Sequence, residues 1–175
     1  MTTVLVVILV IVLAVVAYIL TRPARFRVER STMMSAPPGR IFSLVNDFHQ
    51  WNLWSPWEKL DPNLQRSFVG ASSGAGAGYS WVGNRQVGEG RMTIVQSDPP
   101  SRIDIKLEFI KPFAATNMTI FTFAPVDAGT RVTWAMEGEN TSFMSKAFSA
   151  FGNMDKFIGR DFEKGLANMK VEAEK

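Results

Sequence analysis

The stretch 101-SRIDIKLEFIKP-112 decides the fold class of this chain. Apolar and charged residues alternate strictly within it, because Ile103, Ile105, Leu107 and Phe109 are interleaved with Arg102, Asp104, Lys106 and Glu108. Successive side chains of a β-strand point to opposite faces, so this segment has one apolar face and one charged face. The pattern predicts a strand of an antiparallel sheet that is exposed to water on one side.

The segments on either side of this strand carry similar patterns and are separated by turn residues. The run 116-TNMTIFTFAP-125 is apolar on both faces, and 130-TRVTWAMEGEN-140 alternates again. Because runs rich in β-branched and aromatic residues between turns indicate strands, we expect a series of antiparallel strands here. The other predicted strands lie in 25-RFRVERSTMMSA-36, 65-QRSFVG-70, 79-YSWVG-83 and 89-EGRMTIVQSDPP-100.

Helical periods appear at two places in the chain. The run 37-PPGRIFSLVNDF-48 has apolar residues at helical spacing after a Pro-Pro start, which predicts a short amphipathic helix. From Ser142 to Glu174 the apolar residues fall at steps of three or four, which predicts one long helix. Gly152, Gly159 and Gly165 lie in this helix, and each weakens it by up to ~1 kcal/mol relative to alanine. We therefore expect packing to hold the helix, with a sheet or a ligand approaching it closely.

The first twenty residues are the most apolar part of the chain. Val4 to Leu20 is seventeen residues without a charge, and a helix of that length spans about 26 Å. The hydrocarbon core of a bilayer is roughly 30 Å thick, so this is a short but sufficient span. The start lacks the basic residues and the cleavage site of a signal peptide, and the helix has no polar face for a soluble core. We therefore predict a transmembrane anchor over residues 1–21, rather than a signal peptide or a core helix.

Positive charge follows the predicted anchor. Segment 22–30 contains four arginines and one glutamate, while fifteen basic residues balance fifteen acidic residues from Ser31 onward. The net charge of +3 therefore lies in this basic juxtamembrane segment, which is also the start of the first strand. Such a charge marks one side of a membrane and is not evidence of nucleic-acid binding. The positive-inside rule predicts a single-pass membrane protein whose large domain is cytoplasmic.

Four separated strings resemble one protein family. In order along residues 25–175, they resemble the START-like superfamily, also called SRPBCC or helix-grip, and within it the polyketide cyclase/dehydrase-type branch. The resemblance implies an α+β fold in which about seven antiparallel strands wrap around a long C-terminal helix, with two short helices after the first strand and an apolar pocket inside. It implies no universal catalytic residue. The strings are 35-SAPPGRIFSLVNDFHQWNLWSPWEKLDP-62, 76-GAGYSWVGN-84, 88-GEGRMTI-94 and 159-GRDFEKGLANMK-170.

His49 is the one histidine of the chain and the one catalytic candidate that the sequence offers. A general base needs an orienting partner and access to substrate. Asp47 is near in sequence, but a partly exposed polar residue at the end of a helix fits the same pattern. Since the chain has no cysteine and a zinc site needs three or four ligands, we predict no metal and no cofactor. The glycine-rich 70-GASSGAGAGYSWVGN-84 lacks the lysine and the helix of a phosphate-binding loop.

Aromatic and methionine side chains are the candidates for an apolar ligand site. Three tryptophans within 51-WNLWSPW-57 are interpreted as core for at least one ring and as pocket rim for the others. Methionine adapts to varied ligands, which favours a real cavity over a core filled by the same side chains. The predicted ligand-binding residues are Trp54, Trp81, Phe109, Met118, Phe121, Trp134, Met136, Phe148, Phe151 and Met154.

Three functions fit these features. The first is a membrane-anchored START-like domain that takes a lipid or another apolar small molecule from the adjacent bilayer into an internal cavity. The second is a polyketide cyclase- or dehydratase-like enzyme, for which the sequence supplies no acid/base set. The third is an interaction module without a small ligand that contacts a membrane protein. We favour the first, with no catalysis, no nucleic acid and no identified protein partner.

Overall fold

The computed structural model describes residues 2–21, 25–139, 146–147 and 154–175. Its seven strands form one antiparallel sheet in the order β1-β7-β6-β5-β4-β3-β2. The strands are β1 (Arg25–Met34), β2 (Gln65–Gly70), β3 (Ala77–Val82), β4 (Glu89–Asp98), β5 (Arg102–Lys111), β6 (Ala115–Val126) and β7 (Gly129–Glu139). The helices are α1 (Thr2–Leu20), α2 (Pro38–Asn46), α3 (Trp51–Trp54), which follows a 3₁₀ turn at Phe48–Gln50, and α4 (Met154–Ala173). The predicted α+β helix-grip architecture is confirmed.

The two ends of the sheet differ in what they connect. At one end β1 begins, with Arg25 opposite Glu139 of β7, and the β5–β6 turn lies at the same end. We call it the near end, because it follows α1 in the chain. At the opposite, far end the backbone N–H of Ser35 donates to a carboxylate oxygen of Glu174 at 2.7 Å. Helix α4 therefore ends at the far end of the sheet.

The alternation in β5 sets the two faces of the sheet as predicted. Ile103 and Ile105 are completely buried on the inner face, which the helices cover. The charged residues between them lie on the outer face, where Arg102 Nε donates to Asp104 Oδ1 at 2.8 Å. A strand with one buried face and one charged face fixes its own register, because a shift by one residue would exchange the faces.

Helix α2 is completed by indole groups from the tryptophan segment. The last carbonyls of a helix have no partner within the helix. Here Trp51 Nε1 donates to the carbonyl of Val45 at 3.0 Å, and Trp54 Nε1 donates to the carbonyl of Leu44 at 2.9 Å. Both indoles are buried, so the same two side chains pack the core and satisfy buried carbonyls. These two hydrogen bonds hold the tryptophan segment 51–57 against the end of α2.

The glycines of the C-terminal helix mark close approaches, as predicted. A Cβ atom on Gly165 would lie 2.7 Å from the ring of Trp134, and one on Gly159 would lie 2.0 Å from the guanidinium of Arg30. The Trp134 ring stacks on Phe162 of α4 with centroids 4.1 Å apart. Residues 146–147 of the predicted helix are helical, whereas residues 142–145 and 148–153, including Gly152, lie outside the described residues.

Helix α1 is the apolar N-terminal element that the sequence predicted. Its mean hydropathy is 3.3, and only 6% of its most apolar window is buried. Within the described ranges it is the one helix that is long and apolar enough to cross a membrane. Membrane anchors and signal sequences both have this length and composition.

Gly165→Val tests the close approach of α4 to the sheet. We expect a loss of about 1–3 kcal/mol of unfolding free energy, because the added side chain overpacks the Trp134 ring. Ala167→Val is the matched control, since Ala167 is exposed on the same helix. It should cost no more than about 0.7 kcal/mol, through helix propensity alone. Thermal unfolding of the full chain in detergent measures both, and equal losses would contradict the close approach.

Candidate functional site

The far half of the inner face is filled by aromatic rings. Trp134 stacks on Phe121 with centroids 4.9 Å apart and on Phe162 from the other side. Trp54 packs edge-on against both sheet residues, with centroid distances of 6.0 Å to Phe121 and 5.5 Å to Trp134. All four side chains are nearly completely buried. This half of the interior is therefore a packed core.

The near half of the inner face is covered less completely. The strand register places Phe26, Asn117 and Leu107 in one row across the sheet, with Gly138 between the first two. Phe26 and Leu107 are only partly buried, although they lie on the inner face. We call Phe26, Trp81, Leu107, Phe109, Asn117 and Met136 the near-end patch. Within it, Phe26, Leu107 and Phe109 are partly buried, whereas Trp81, Asn117 and Met136 are buried.

Two glycines give the near-end patch its shape. A Cβ atom on Gly138 would lie 2.1 Å from the amide oxygen of Asn117 and 2.7 Å from the ring of Phe26. A Cβ atom on Gly90 would lie 2.4 Å from the ring of Trp81. These side chains therefore pack directly against glycine backbone, which has no Cβ atom.

Three polar side chains meet beside the patch. Glu58 is buried, and its two carboxylate oxygens accept hydrogen bonds from Arg66 Nε at 2.6 Å and from the hydroxyl of Tyr79 at 2.6 Å. Burial, and then the hydrogen bond to Glu58 and the charge of that carboxylate, raise the pKa of Tyr79. Tyr79 is therefore held protonated as a donor. The ion pair compensates a charge that would otherwise be costly to bury.

One buried donor in the core has no partner in the part of the chain that the structure describes. Trp134 Nε1 is fully enclosed and has no hydrogen-bond acceptor there. A buried polar group left without a partner costs about 1–3 kcal/mol. A bound water or a ligand oxygen next to this nitrogen would remove that cost. The position is therefore a candidate polar contact for a bound molecule.

His49 and Asp47 form a pair at the protein surface. Asp47 Oδ1 is 2.8 Å from His49 Nδ1 and also accepts from the backbone N–H of His49 at 2.9 Å. Partial burial acts to raise the pKa of Asp47, but the hydrogen bonds from His49 outweigh it and lower the pKa. The imidazole stacks on Phe68 with centroids 4.1 Å apart. Asp47, directly before the 3₁₀ turn, is therefore the orienting partner of His49, and Phe68 of the edge strand β2 stacks on the imidazole.

The predicted ligand-binding residues divide between these regions. Trp81, Phe109 and Met136 lie in the near-end patch, whereas Trp54, Phe121 and Trp134 lie in the packed far half. Met118 corrects the prediction for β6: Asn117, Thr119 and Phe121 face inward, so the two-residue period places Met118 on the outer face. Phe148, Phe151 and the side chain of Met154 lie outside the described residues.

A depression of about 400 Å³ lies on the outer face and is not the predicted internal cavity. Its charged lining is paired, since Arg91 Nε and Lys106 Nζ both contact Glu108, at 2.8 and 3.0 Å. Hydrogen bonds from Arg91 and Lys106 lower the pKa of Glu108 to about 2. The depression is lined by Val69, Gly78, Tyr79, Ser80, Arg91, Met92, Thr93, Val95, Lys106 and Glu108.

Among the described residues, no group of three or more histidine, cysteine, aspartate or glutamate side chains is placed to hold a metal ion. The polar groups of the inner face are instead hydrogen-bond donors and one paired carboxylate. Such a site is suited to orienting an uncharged molecule by hydrogen bonds.

The family model described as polyketide cyclase / dehydrase and lipid transport matches residues 25–174. The chain belongs to this family. None of the curated proteins matches it. The match begins where β1 begins, so α1 lies outside the part that the chain shares with this family.

Solved structures share the fold at low sequence identity. A protein from Chromobacterium violaceum is 16% identical with a TM-score of 0.61, covering 88% of this chain and 99% of its own. A protein from Nitrosospira multiformis is 21% identical with a TM-score of 0.60, covering 85% of this chain and 96% of its own. The di-domain ARO/CYC BexL from the BE-7585A biosynthetic pathway is 16% identical with a TM-score of 0.67, covering 91% of this chain and 53% of its own. These likenesses support the helix-grip fold and no particular activity.

The Glu58–Arg66–Tyr79 cluster was not predicted from the sequence. Sequence spacing does not show that Glu58, between α3 and β2, meets Arg66 of β2 and Tyr79 of β3. One signal was available. An acid next to three tryptophans, in 51-WNLWSPWE-58, lies in a segment that must be buried, and a buried carboxylate needs a partner.

The alkaline titration of the two tyrosines tests this cluster. Because the pKa of Tyr79 is raised in the folded state, its contribution to stability is complete below about pH 10 and is lost as the pH rises above that. In Tyr79→Phe, the free energy of unfolding should fall less steeply above about pH 10, because the contribution of Tyr79 is absent. Tyr18→Phe, the control, should show the same fall as the unsubstituted chain. Tyrosinate absorbance and unfolding midpoints measure this, and a Tyr79 that ionises in the folded chain near pH 10 would contradict the geometry.

Proposed function

We propose that this chain is a membrane-anchored binding domain for an uncharged apolar small molecule or lipid, held against the near-end patch. The family to which the chain belongs includes lipid transport in its description. Helix α1 would keep the domain next to the bilayer from which such a molecule is taken. No catalytic step is part of this proposal.

The observation that carries the proposal is the incomplete burial of an apolar inner face. Phe26, Leu107 and Phe109 point to the side that the helices cover, yet each remains partly exposed among the described residues. Apolar surface removed from water contributes roughly 25 cal/mol per Å², so a ligand that covers this patch gains binding energy. Ligand pockets combine such walls with a few polar groups. Here Asn117 lies within the patch, and Trp134 Nε1 is a buried donor deeper in the interior without a partner among the described residues.

The pairing of polar groups indicates which ligands the site favours. Both oxygens of Glu58 are already engaged, and Arg30 is engaged by Asp155 and Glu163. These charges are therefore not available to a ligand. An amide and an indole N–H offer hydrogen bonds to a hydroxyl or carbonyl group. We expect an isoprenoid, a fatty alcohol or a neutral aromatic molecule rather than a charged headgroup.

The orientation of the anchor rests on the arginines of segment 22–30. In the folded domain, Arg25 pairs with Glu139 and Arg27 with Glu29 and Glu137. Their attraction to anionic lipid is therefore smaller than the net charge of the segment implies. The positive-inside rule acts while the chain is inserted, before β1 pairs with β7. We accordingly retain a cytoplasmic domain as the proposed orientation.

Leu107→Trp tests the near-end patch. The larger ring fills space above the sheet, and we expect the amount of small molecule that copurifies with the full chain to fall at least about tenfold. Mass spectrometry of the solvent extract, per mole of protein purified in mild detergent, measures this amount.

Ile110→Trp is the matched control for this substitution. Ile110 lies on the same strand but on the outer face, where it is 47% exposed. It should retain the copurifying molecule at the level of the unchanged chain. Equal retention by both variants, or an unchanged chain that carries no small molecule, would refute the proposed binding function.

A second test concerns the anchor itself. Ile8→Lys with Val12→Lys places two charges in the middle of α1, and each costs about 2.5–3.5 kcal/mol on insertion. We expect this variant to leave the membrane fraction under alkaline carbonate extraction. Val69→Lys with Val171→Lys, both exposed in the domain, should remain. Protease accessibility in inverted vesicles tests the orientation, and protection of the domain there would overturn the cytoplasmic assignment.

A second candidate function is cyclase- or dehydratase-like catalysis. The observation that favours it is the buried Glu58–Tyr79 pair, a carboxylate and a protonated phenol 2.6 Å apart beside the patch. A buried acid of this kind is a candidate proton donor. Turnover of an aromatic polyketide by the full chain that Tyr79→Phe abolishes would establish this function in place of simple binding.

A further inference from the structure

The connection between α1 and the sheet is very short. Helix α1 ends at Leu20, and β1 begins at Arg25. Five residue steps span at most about 18 Å when fully extended. If α1 crosses the bilayer, as proposed above, the start of β1 is therefore held within that distance of the membrane surface. The near end of the sheet is the part of the domain that such a tether brings closest.

The β5–β6 hairpin tip lies at this same end. Residues 110–116, with the sequence IKPFAAT, are all exposed. Phe113 is 77% exposed, the highest value among the large apolar side chains of the described residues. Lys111 contacts Glu89 of β4, so its charge is paired. The tip presents an isoleucine, a proline, a phenylalanine and two alanines, and no acidic side chain.

The hairpin tips at the far end have a different composition. The β4–β5 turn carries Asp98 and Ser101, and the β6–β7 turn carries Asp127. Turns of soluble domains are normally polar, because they are surrounded by water. Among the hairpin tips that the structure describes, 110–116 is the one with an exposed large apolar side chain at its apex, and it lies at the end that the tether holds near the bilayer, where the β3–β4 turn at residues 83–88 is polar. This asymmetry has no explanation in the packing of the domain, because Phe113 contacts little of it.

We propose that the β5–β6 tip, residues 110–116 with Phe113 at its apex, is a second membrane contact that inserts into the interfacial region of the bilayer. The partner is a lipid surface, not a protein. Phenylalanine is one of the apolar side chains that interfacial segments bury at the boundary between headgroups and acyl chains. Insertion at this point turns the near end of the inner face toward the membrane. The inference rests on α1 as an anchor.

Site-directed labelling tests this contact in the full chain, which has no native cysteine. Phe113→Cys carries an environment-sensitive fluorophore in nanodiscs of phosphatidylcholine and phosphatidylglycerol, with nitroxide quenchers at headgroup level or along the acyl chain. Val69→Cys and Val171→Cys are matched controls, since they are 61% and 66% exposed. They lie toward the far end, which nine strand steps of ~3.3 Å place about 30 Å away. Ile11→Cys reports on the anchor.

We expect a blue shift and quenching by headgroup nitroxides at position 113, quenching by acyl-chain nitroxides at position 11, and neither effect at positions 69 and 171. Because the label is the same everywhere, its own affinity for lipid does not explain a difference between positions. Quenching at position 11 without quenching at 113 overturns the second contact and leaves the anchor intact. Equal quenching at 113 and at the far-end controls also overturns it. A label at position 11 that remains in water overturns the anchor, and the second contact with it.

Discussion

The stacking of Trp134 on Phe162 is the contact on which the arrangement of sheet and helix depends. The two rings lie 4.1 Å apart, and the indole is also within van der Waals reach of the backbone of α4 at Gly165. A bulky side chain from the sheet thus meets a residue without a side chain on the helix, which fixes the depth at which α4 packs. Phe121 and Trp54 close the same cluster from the sheet and from α3. The helix is seated at the far half of the inner face, and its last turn reaches Ser35.

The same contact leaves the other half of the inner face less covered. A helix held at one place by stacked rings does not also lie flat on Phe26, Leu107 and Phe109, which remain partly exposed. Gly138 and Gly90 deepen this region, because a neighbouring side chain folds down onto each of them. Among the described residues, a half packed by stacked rings therefore adjoins a half in which Phe26, Leu107 and Phe109 are only partly buried.

Much of the fold could be predicted from local patterns. The alternation in β5 and the three-or-four spacing of the last helix each report which side of an element is buried, and a resemblance over separated strings ordered the elements. The glycines of α4 predicted a close approach, and the structure shows Arg30 and Trp134 making it. What local patterns do not contain is which apolar residues touch one another. Trp54, Phe121 and Trp81 are all aromatic residues of apolar segments, so the sequence does not distinguish them. In the structure, Trp54 and Phe121 pack in the far half, whereas Trp81 is part of the near-end patch.

One error and one omission of the sequence reasoning have physical causes. Met118 was placed inside because β6 is apolar on both faces, and hydrophobicity alone does not identify the inner face of such a strand; the neighbouring alternation of Asn117, Thr119 and Phe121 does. The arginines of segment 22–30 were counted as net positive charge, and their partners were not predicted. In the structure, three of them extend from β1 to acids on β7 and α4, which are more than one hundred residues away in the chain. Long-range pairing of this kind has no signature in sequence spacing.

The partly buried apolar residues of the inner face lie at the end of the sheet that follows α1 in the chain. A ligand that is insoluble in water gains most from a site that it reaches without crossing water, since exposing each methylene group costs about 0.8 kcal/mol. The near end of the sheet holds the start of β1, the apolar β5–β6 tip and the uncovered part of the inner face together. The β4–β5 and β6–β7 turns and the end of α4 lie at the opposite end. If α1 is the anchor proposed above, the short connection to β1 limits the orientations of the domain and keeps the near end of the sheet next to the lipid. Under that proposal the anchor would also determine which end of the sheet a molecule leaving the bilayer meets first.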